Sequence, residues 1–302
     1  MDKGTGMKCK GVTIGIPLYN EERYIEEALR SAATQCETVW ISDNASTDGS
    51  ATICERLSRE YPNIHFVQQS QNIGGITNFK FLLDKADTPY FMWLGSHDAL
   101  PDGYVRQLTH LLENCPEAVL AYGASHHMDV DGGPVSNYEY LYSAMLADKS
   151  PAMRILGLIH YLVDCSLIYG VFRTEALRAV WNASGDDAYR GADHVLLGHA
   201  AIKGPFLYAP KTYLLRRDAH PVDSPQEQLK RMDPQQLHRE QLTFREMQRR
   251  QFTQAKTVSK GTGLSGLSFR LKARFYLVKR FGPFGETFLT RMLDAFLHFI
   301  NY

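Results

Sequence analysis

Four short polar segments in the first hundred residues place carboxylates, carboxamides, glycines and aromatics at the ends of apolar runs. In Pro17-Leu18-Tyr19-Asn20-Glu21-Glu22, a proline and an aromatic ring could hold a planar base. The same residues also read as a strand exit and helix start, with Asn20 as cap and the two glutamates favouring the helix N-terminus. In Asp43-Asn44-Ala45-Ser46-Thr47-Asp48-Gly49, Asp43 and Asn44 stand where hydrogen bonds to a ligand are geometrically natural, and Thr47 or Asp48 reads as a helix cap. Asn72-Ile73-Gly74-Gly75, followed by Asn78, is either plain loop chemistry or an approach for a phosphate to a helix N-terminus. In Gly95-Ser96-His97-Asp98, the carboxylate could bind a divalent cation bridging a diphosphate, or cap a helix starting near Asp102.

These segments are positioned by alternating strands and helices. Residues 12–18 (VTIGIPL), 38–42 (TVWIS), 64–68 and 90–94 (YFMWL) read as short buried strands. Ile25, Ala28, Leu29 and Ala32 form an apolar stripe on the first helix, and further helices are expected around Ile53 and Leu57 and over 79–86. Such alternation predicts a parallel sheet with helices on both faces, and ligands bind beyond the carboxyl ends of its strands. Farther along, the pattern predicts a helix through Leu111, strands at 118–122 and 166–172, a turn at 131–133, and helices over 174–181 and 193–202. Residues 221–256, rich in Gln, Arg and Glu, read as polar surface helix.

Composition narrows the class. The 302 residues are 44% hydrophobic and 22% charged, as in an ordinary globular protein. Lys+Arg and Asp+Glu both number 33, so no basic excess points to nucleic acid. Five scattered cysteines without a CxxC argue against a disulfide framework or structural zinc and for a reducing cytosol. No apolar run approaches the ~18 residues of a membrane span, and the polar start lacks a signal-peptide core. The expected location is cytoplasmic, with peripheral contact at the inner face of the membrane as an option.

Taken in order, these segments resemble the family 2 glycosyltransferases of the GT-A fold. The likeness runs through TIGIPLYNEERYIEEALRSAATQ, DNASTDGS, NIGG with Asn78, and YFMWLGSHDALPDGY. It is strong over residues 11–110 and looser over 160–220. It implies a GT-A (Rossmann-like) α/β fold, a mostly parallel sheet flanked by helices with a C-terminal helical extension. Residues 1–110 would form the nucleotide-sugar half, 111–220 the acceptor and catalytic half, and 221–302 the extension. It also implies a nucleotide-diphosphate sugar donor, with UDP or dTDP favoured, a Mn²⁺ or Mg²⁺ ion, and inversion at the anomeric carbon. The acceptor would be a saccharide or glycolipid of a bacterial-type surface polysaccharide.

Carried over by position, the resemblance puts Pro17, Tyr19 and Glu21 in the nucleotide pocket. Asp43 and Asn44 would recognise the base, and Asn72, Gly74 and Asn78 would lie behind the pyrophosphate. Ser96-His97-Asp98 falls on the family's Asp-rich metal motif, where only the last carboxylate, Asp98, is kept and Ser96 stands near the ribose. His97 and His220 are the histidines that could join Asp98 on the ion. Arg216 and Arg217 could hold diphosphate charge instead of, or beside, a metal. Gly191-Ala192-Asp193-His194 resembles the acidic motif that supplies the general base, so Asp193 is expected to take the acceptor proton, with a helix cap as its rival reading. Asp186 and Asp187 are lesser choices, and Tyr169, Gly170 and Phe172 belong to the acceptor floor or to the core.

Other matches carry less. The GxGxxG of 261–266 lacks the preceding hydrophobic strand that a dinucleotide site needs. Asp193, His194 and His199 resemble a metal cluster, but a spacing of five puts the two histidines on different faces of a helix. His126 and His127 with Asp129 read as a polar strand end. The aromatic, basic segment 261–302 packs on the domain or on a second copy of the chain, or touches a membrane surface; Arg270 and Arg274 interrupt its apolar arc. Two other functions stay open, a metal-independent transferase and a non-catalytic nucleotide-sugar-binding subunit.

Overall fold

The apolar runs of the first hundred residues become β1 (Cys9–Leu18), β2 (Cys36–Asp43), β3 (Ile64–Gln68) and β4 (Tyr90–Trp93). Between them lie α1 (Ile25–Ala33), α2 (Ser50–Glu60) and α3 (Gly75–Lys85). The computed structural model describes residues 8–138, 143–162, 165–184, 192–219, 243–260, 266, 269–271 and 273. β1 pairs in parallel with both β2 and β4, and β2 with β3, as expected. Alternation along β1 sends Val12, Ile14, Ile16 and Leu18 to one face, against the Ile25, Ala28, Leu29 and Ala32 stripe of α1. On the other face Gly15 lets α3 come close: a Cβ there would meet Phe91 at 2.9 Å and Leu82 at 3.0 Å.

The second half completes the sheet. After α4 (Tyr104–Glu113), β5 (Leu120–Met128) and β6 (Pro134–Tyr138) form an antiparallel hairpin. Asp129 closes its turn by accepting from the amides of Asp131 and Gly133. Next come α5 (Ser143–Leu146), α6 (Pro151–Tyr161), β7 (Val171–Arg173), α7 (Thr174–Ser184), α8 (Ala192–Lys203), β8 (Phe206–Arg217) and α9 (Thr243–Val258). The strand order is β3-β2-β1-β4-β7-β5-β6, with β8 on the other edge of β5. β7 runs antiparallel to both β4 and β5, so β5 and its parallel partner β8 run the same way as β1. The carboxyl ends of β1, β2, β4 and β8 therefore lie at one side of the sheet.

Helices cover both faces. One core joins α1, α2 and α4 to the sheet; the other joins α3, α6, α7, α8 and α9 around Trp93, Phe91 and Phe172. No helix among the described residues is long and apolar enough to cross a membrane.

Two expectations need correction. Residues 166–172 do not form one strand: Ser166–Tyr169 is a 3-10 turn, followed by the three-residue β7. Gly170 makes the bend, since a Cβ there would lie 2.5 Å from the Ala121 carbonyl oxygen. The Gln-rich stretch is also not simply a polar surface helix. In α9, Gln251 and Gln254 are buried at 2% and 3% exposure, and Ala255 is fully buried.

Candidate active site

The exits of β1 and β2 are locked together by their own polar side chains. Asn20 and Ala45 both adopt left-handed backbone, at φ 53 and 61. Asparagine tolerates this locally, whereas alanine carries roughly 1–2 kcal/mol of strain. The Asn20 side-chain oxygen accepts from the Thr47 amide at 2.8 Å, so Asn20 joins two strand ends rather than capping α1. Asp48 accepts from the amides of Ser50 and Glu22 and so ties the start of α2 to the exit of β1; the cap position itself is Gly49, not Thr47 or Asp48 as expected. Burial opposes its ionisation, but these hydrogen bonds win and hold its carboxyl below the usual range.

Asp43 is fully buried at the end of β2, where it accepts from the Ser46 amide and hydroxyl and from Gln68 Nε2 at 3.1 Å. Asn44 takes Ile73 N at 2.8 Å and donates to Asn72 Oδ1 at 2.9 Å. Asn72 Oδ1 also takes Gly74 N, while its own amide nitrogen is buried with no hydrogen-bond partner among the described residues. Asn44 thus ties the loop before α3 to the end of β2. Gly74, at φ 85, provides the left-handed turn that starts α3. Asn78, one turn into α3, donates to the Ser42 carbonyl at 2.9 Å. Pro17 and Tyr19 are half-buried beside this group, and Glu21 is buried. Sequence reasoning missed Ser46 and Gln68. Ser46 was visible as the third residue after Asp43 in a turn motif, whereas Gln68 had no local signal.

The turn after β4 brings Ser96, His97 and Asp98 to the same side. Ser96 is buried at 6% exposure and Asp98 at 1%. Asp98 Oδ1 accepts from Arg217 N at 2.9 Å, and Oδ2 is buried with no hydrogen-bond partner among the described residues. Gly95 makes room for it, because a Cβ there would sit 2.5 Å from Oδ2. A buried carboxylate oxygen without a donor is costly unless a cation meets it. His97 faces Asp98 at 4.0 Å through Nε2, while its Nδ1 lies 3.1 Å from Glu21 Oε1. An oxygen-rich pair with one imidazole fits a Mn²⁺ or Mg²⁺ ion. His220 lies outside the described residues.

Arg217 is placed differently from a diphosphate contact. Its guanidinium stacks over Tyr24 and donates to the carbonyls of His97 and Asp129 and to Glu27 Oε2 at 2.7 Å. Its donors serve the fold. Arg216, on the opposite face of β8, donates to Ser166 Oγ at 2.8 Å and lies over the Tyr169 ring.

Asp193 stands in the first turn of α8, half-buried, with Oδ1 accepting from His194 N at 2.9 Å. Tyr169 links it to the other carboxylate. Burial raises the Tyr169 phenol above its ordinary range, Arg216 pulls it down, and the charges of Asp98 and Asp193 push it up. Asp98, Asp193 and Arg216 thus all act electrostatically on Tyr169. Sequence reasoning also missed Cys165. Among the described residues, ligating atoms of Cys165, Asp193 and His194 lie within 4.8 Å of one another, so Cys165, not His199, is the neighbour of this pair. The N-terminus of α8 sets positive potential there, which disfavours a cation. Asp186 and Asp187 lie outside the described residues, as does nearly all of the GxGxxG segment.

Comparison with known proteins bears on the family and the fold. The family model for glycosyl transferase family 2 matches residues 13–178, more than half of the chain. A putative teichuronic acid biosynthesis glycosyltransferase of Bacillus subtilis is 27% identical over 158 residues, 51% of this chain and 62% of that protein. An abequosyltransferase of Salmonella typhimurium is 35% identical over 96 residues, 30% of this chain and 28% of its own length. The match thus spans less than two thirds of either relative. Among solved structures, S. aureus TarS residues 1–349 in complex with UDP gives a TM-score of 0.58 at 17% identity, covering 90% of this chain and 80% of that one. The family match over more than half of the chain leads to one assignment: the chain belongs to glycosyl transferase family 2.

Proposed function

We propose that the protein transfers a sugar, with inversion, from a nucleotide-diphosphate sugar to an acceptor hydroxyl of a saccharide or glycolipid. The observation that carries this reading is the pair Asp98 and Asp193, from distant segments, whose charges both act on Tyr169, with Asp98 Oδ2 buried and unpartnered among the described residues. Residues 1–110 would hold the donor, and 111–220 would supply the acceptor site and the base. Asp43 and Asn44, with Pro17 and Tyr19, would border the base. Asn72, Gly74 and Asn78 would line the diphosphate side at the start of α3, and Ser96 the ribose. TarS, which shares the fold, was solved with UDP and with UDP-GlcNAc, and this supports a UDP or dTDP donor.

Asp98, with His97 and by resemblance His220, would hold the divalent ion. When bound, that ion offsets negative charge on the leaving diphosphate, a contribution of several kcal/mol. Asp193 Oδ1 accepts from His194 N, and its carboxylate would take the acceptor proton. A well-placed carboxylate contributes on the order of 10²–10⁴-fold in this role. Arg216, held by Ser166 and Tyr169, would add positive charge beside the reacting region. The engagement of Arg217 inside the fold weighs against a metal-free transferase relying on paired arginines.

The test is turnover of a panel of nucleotide sugars, with and without saccharide acceptors. Release of nucleoside diphosphate from one donor, accelerated by acceptor and giving the inverted anomer by NMR, is the expected result. Binding of nucleotide without any donor turnover would instead identify a nucleotide-sugar-binding subunit.

A further inference from the structure

Helix α8 carries Asp193 in its first turn, so whatever fixes the rotation and translation of α8 fixes the carboxylate. At its far end, the buried Arg154 on α6 donates to Ala201 O at 2.6 Å. Near its start, Gln254 on α9 donates through Nε2 to Val195 O at 2.8 Å, two residues after Asp193. Gly198 makes that approach possible, for a Cβ there would fall 2.1 Å from Gln254 Oε1 and 2.7 Å from its Cδ. The same helix reaches the end of α7, where Arg250 Nη1 donates to Ser184 O at 2.8 Å. Helix α9 therefore holds the chain on both sides of the connection leading to Asp193.

Val195 O lies inside a helix and has an ordinary helical donor available, so the Gln254 bond is not needed to satisfy it. A leucine at 254 would bury apolar surface without a polar cost. An amide aimed at one carbonyl over one glycine instead sets register. The consequence for chemistry is large. Side-chain oxygens lie about 5 Å from a helix axis, so a rotation of roughly 15° moves them by about 1.3 Å. A displacement of about 1 Å can cost 10²-fold in rate.

We propose that α9, through Gln254 seated on Gly198, is a positioning element for Asp193. The C-terminal extension is then a working part of the transferase domain rather than an appendage. The inference rests on Asp193 being the general base. Gln254 and Gly198 are positioning residues and touch no substrate.

The experiment compares Gly198→Ala, Gln254→Ala and the double variant in the full chain. In Gly198→Ala, kcat is expected to fall about tenfold or more, with donor KM and the nucleotide-induced thermal shift within twofold of wild type. Adding Gln254→Ala removes the clash and should recover a good part of that loss, a size complementarity that a general stability defect would not produce. If Gly198→Ala does not fold, Gln254→Ala alone carries the test, with a severalfold drop in kcat at unchanged donor KM. A folded Gly198→Ala variant with wild-type kcat, or losses shared equally by kcat and nucleotide binding, would overturn the proposal. Asp193→Asn is run beside them. If it is inactive while Gly198→Ala is normal, this inference fails alone. If Asp193→Asn keeps transferring, the base assignment fails and takes the inference with it.

Discussion

The main-chain amide of Arg217 donates to Oδ1 of Asp98 at 2.9 Å, joining the end of β8 to the turn after β4. The Arg217 side chain strengthens the same joint, reaching the His97 carbonyl, the hairpin turn and Glu27. One residue thus sets the orientation of the carboxylate, whose Oδ2 has no donor among the described residues. Arg217→Ala should leave these carbonyls without partners and lower the unfolding free energy by about 2–4 kcal/mol. Arg217→Lys should rescue little, because an ammonium cannot reproduce the fork. Urea denaturation of the three proteins checks this; an unchanged midpoint for Arg217→Ala would show the network to be idle.

Asp193→Asn keeps an acceptor for His194 N but removes the proton-accepting charge. Transfer should fall on the order of 10²–10⁴-fold in kcat, with the donor's binding constant little changed. Steady-state kinetics and nucleotide titration separate the two effects. A variant that loses nucleotide affinity instead would place Asp193 on the donor.

Asn44 spends both of its side-chain groups on the loop before α3. Asn44→Ala should loosen that loop and raise donor KM about tenfold, the equivalent of roughly 1.4 kcal/mol. Because the base is elsewhere, kcat should change far less. Equal changes in kcat and KM would argue against a role confined to the donor.

Burial, with Arg250 beside it, holds His199 below the ordinary histidine value of 6.5. As pH falls through 6.5 the unfolded chain takes up the proton first, so this contribution to stability is present above 6.5 and is lost toward the lowered folded value. Urea midpoints should decline over that acidic window, and His199→Gln should flatten the decline. An identical slope in the variant would assign it to other groups.

Much of the fold was legible because it rests on local periodicity. The alternation in β1 and the stripe of Ile25, Ala28, Leu29 and Ala32 follow directly from which face each residue occupies. The strand-end motifs were legible for the same reason, since a motif directly after a strand lands at the sheet's carboxyl edge. What the sequence hid lies in long-range hydrogen bonds. Nothing near Arg217 signals that its guanidinium will turn toward Tyr24 and Glu27 instead of a ligand. The break at Gly170 depends on the approach of Ala121, and the buried Gln254 of α9 depends on a glycine in another helix. Polar composition indicates surface only when no partner helix offers a carbonyl.

The most direct measurement is a thermal-shift titration of wild type and Asp98→Asn with UDP, dTDP and GDP, each with Mn²⁺, Mg²⁺ or EDTA. A ligand of the native state raises the midpoint by mass action. Arg217 N can still donate to an asparagine oxygen, so the variant should fold. The account predicts that UDP or dTDP stabilises wild type with metal, that EDTA removes most of the shift, and that Asp98→Asn shows little shift in any condition. Equal stabilisation of wild type in EDTA and in Mn²⁺ would contradict the metal role of Asp98.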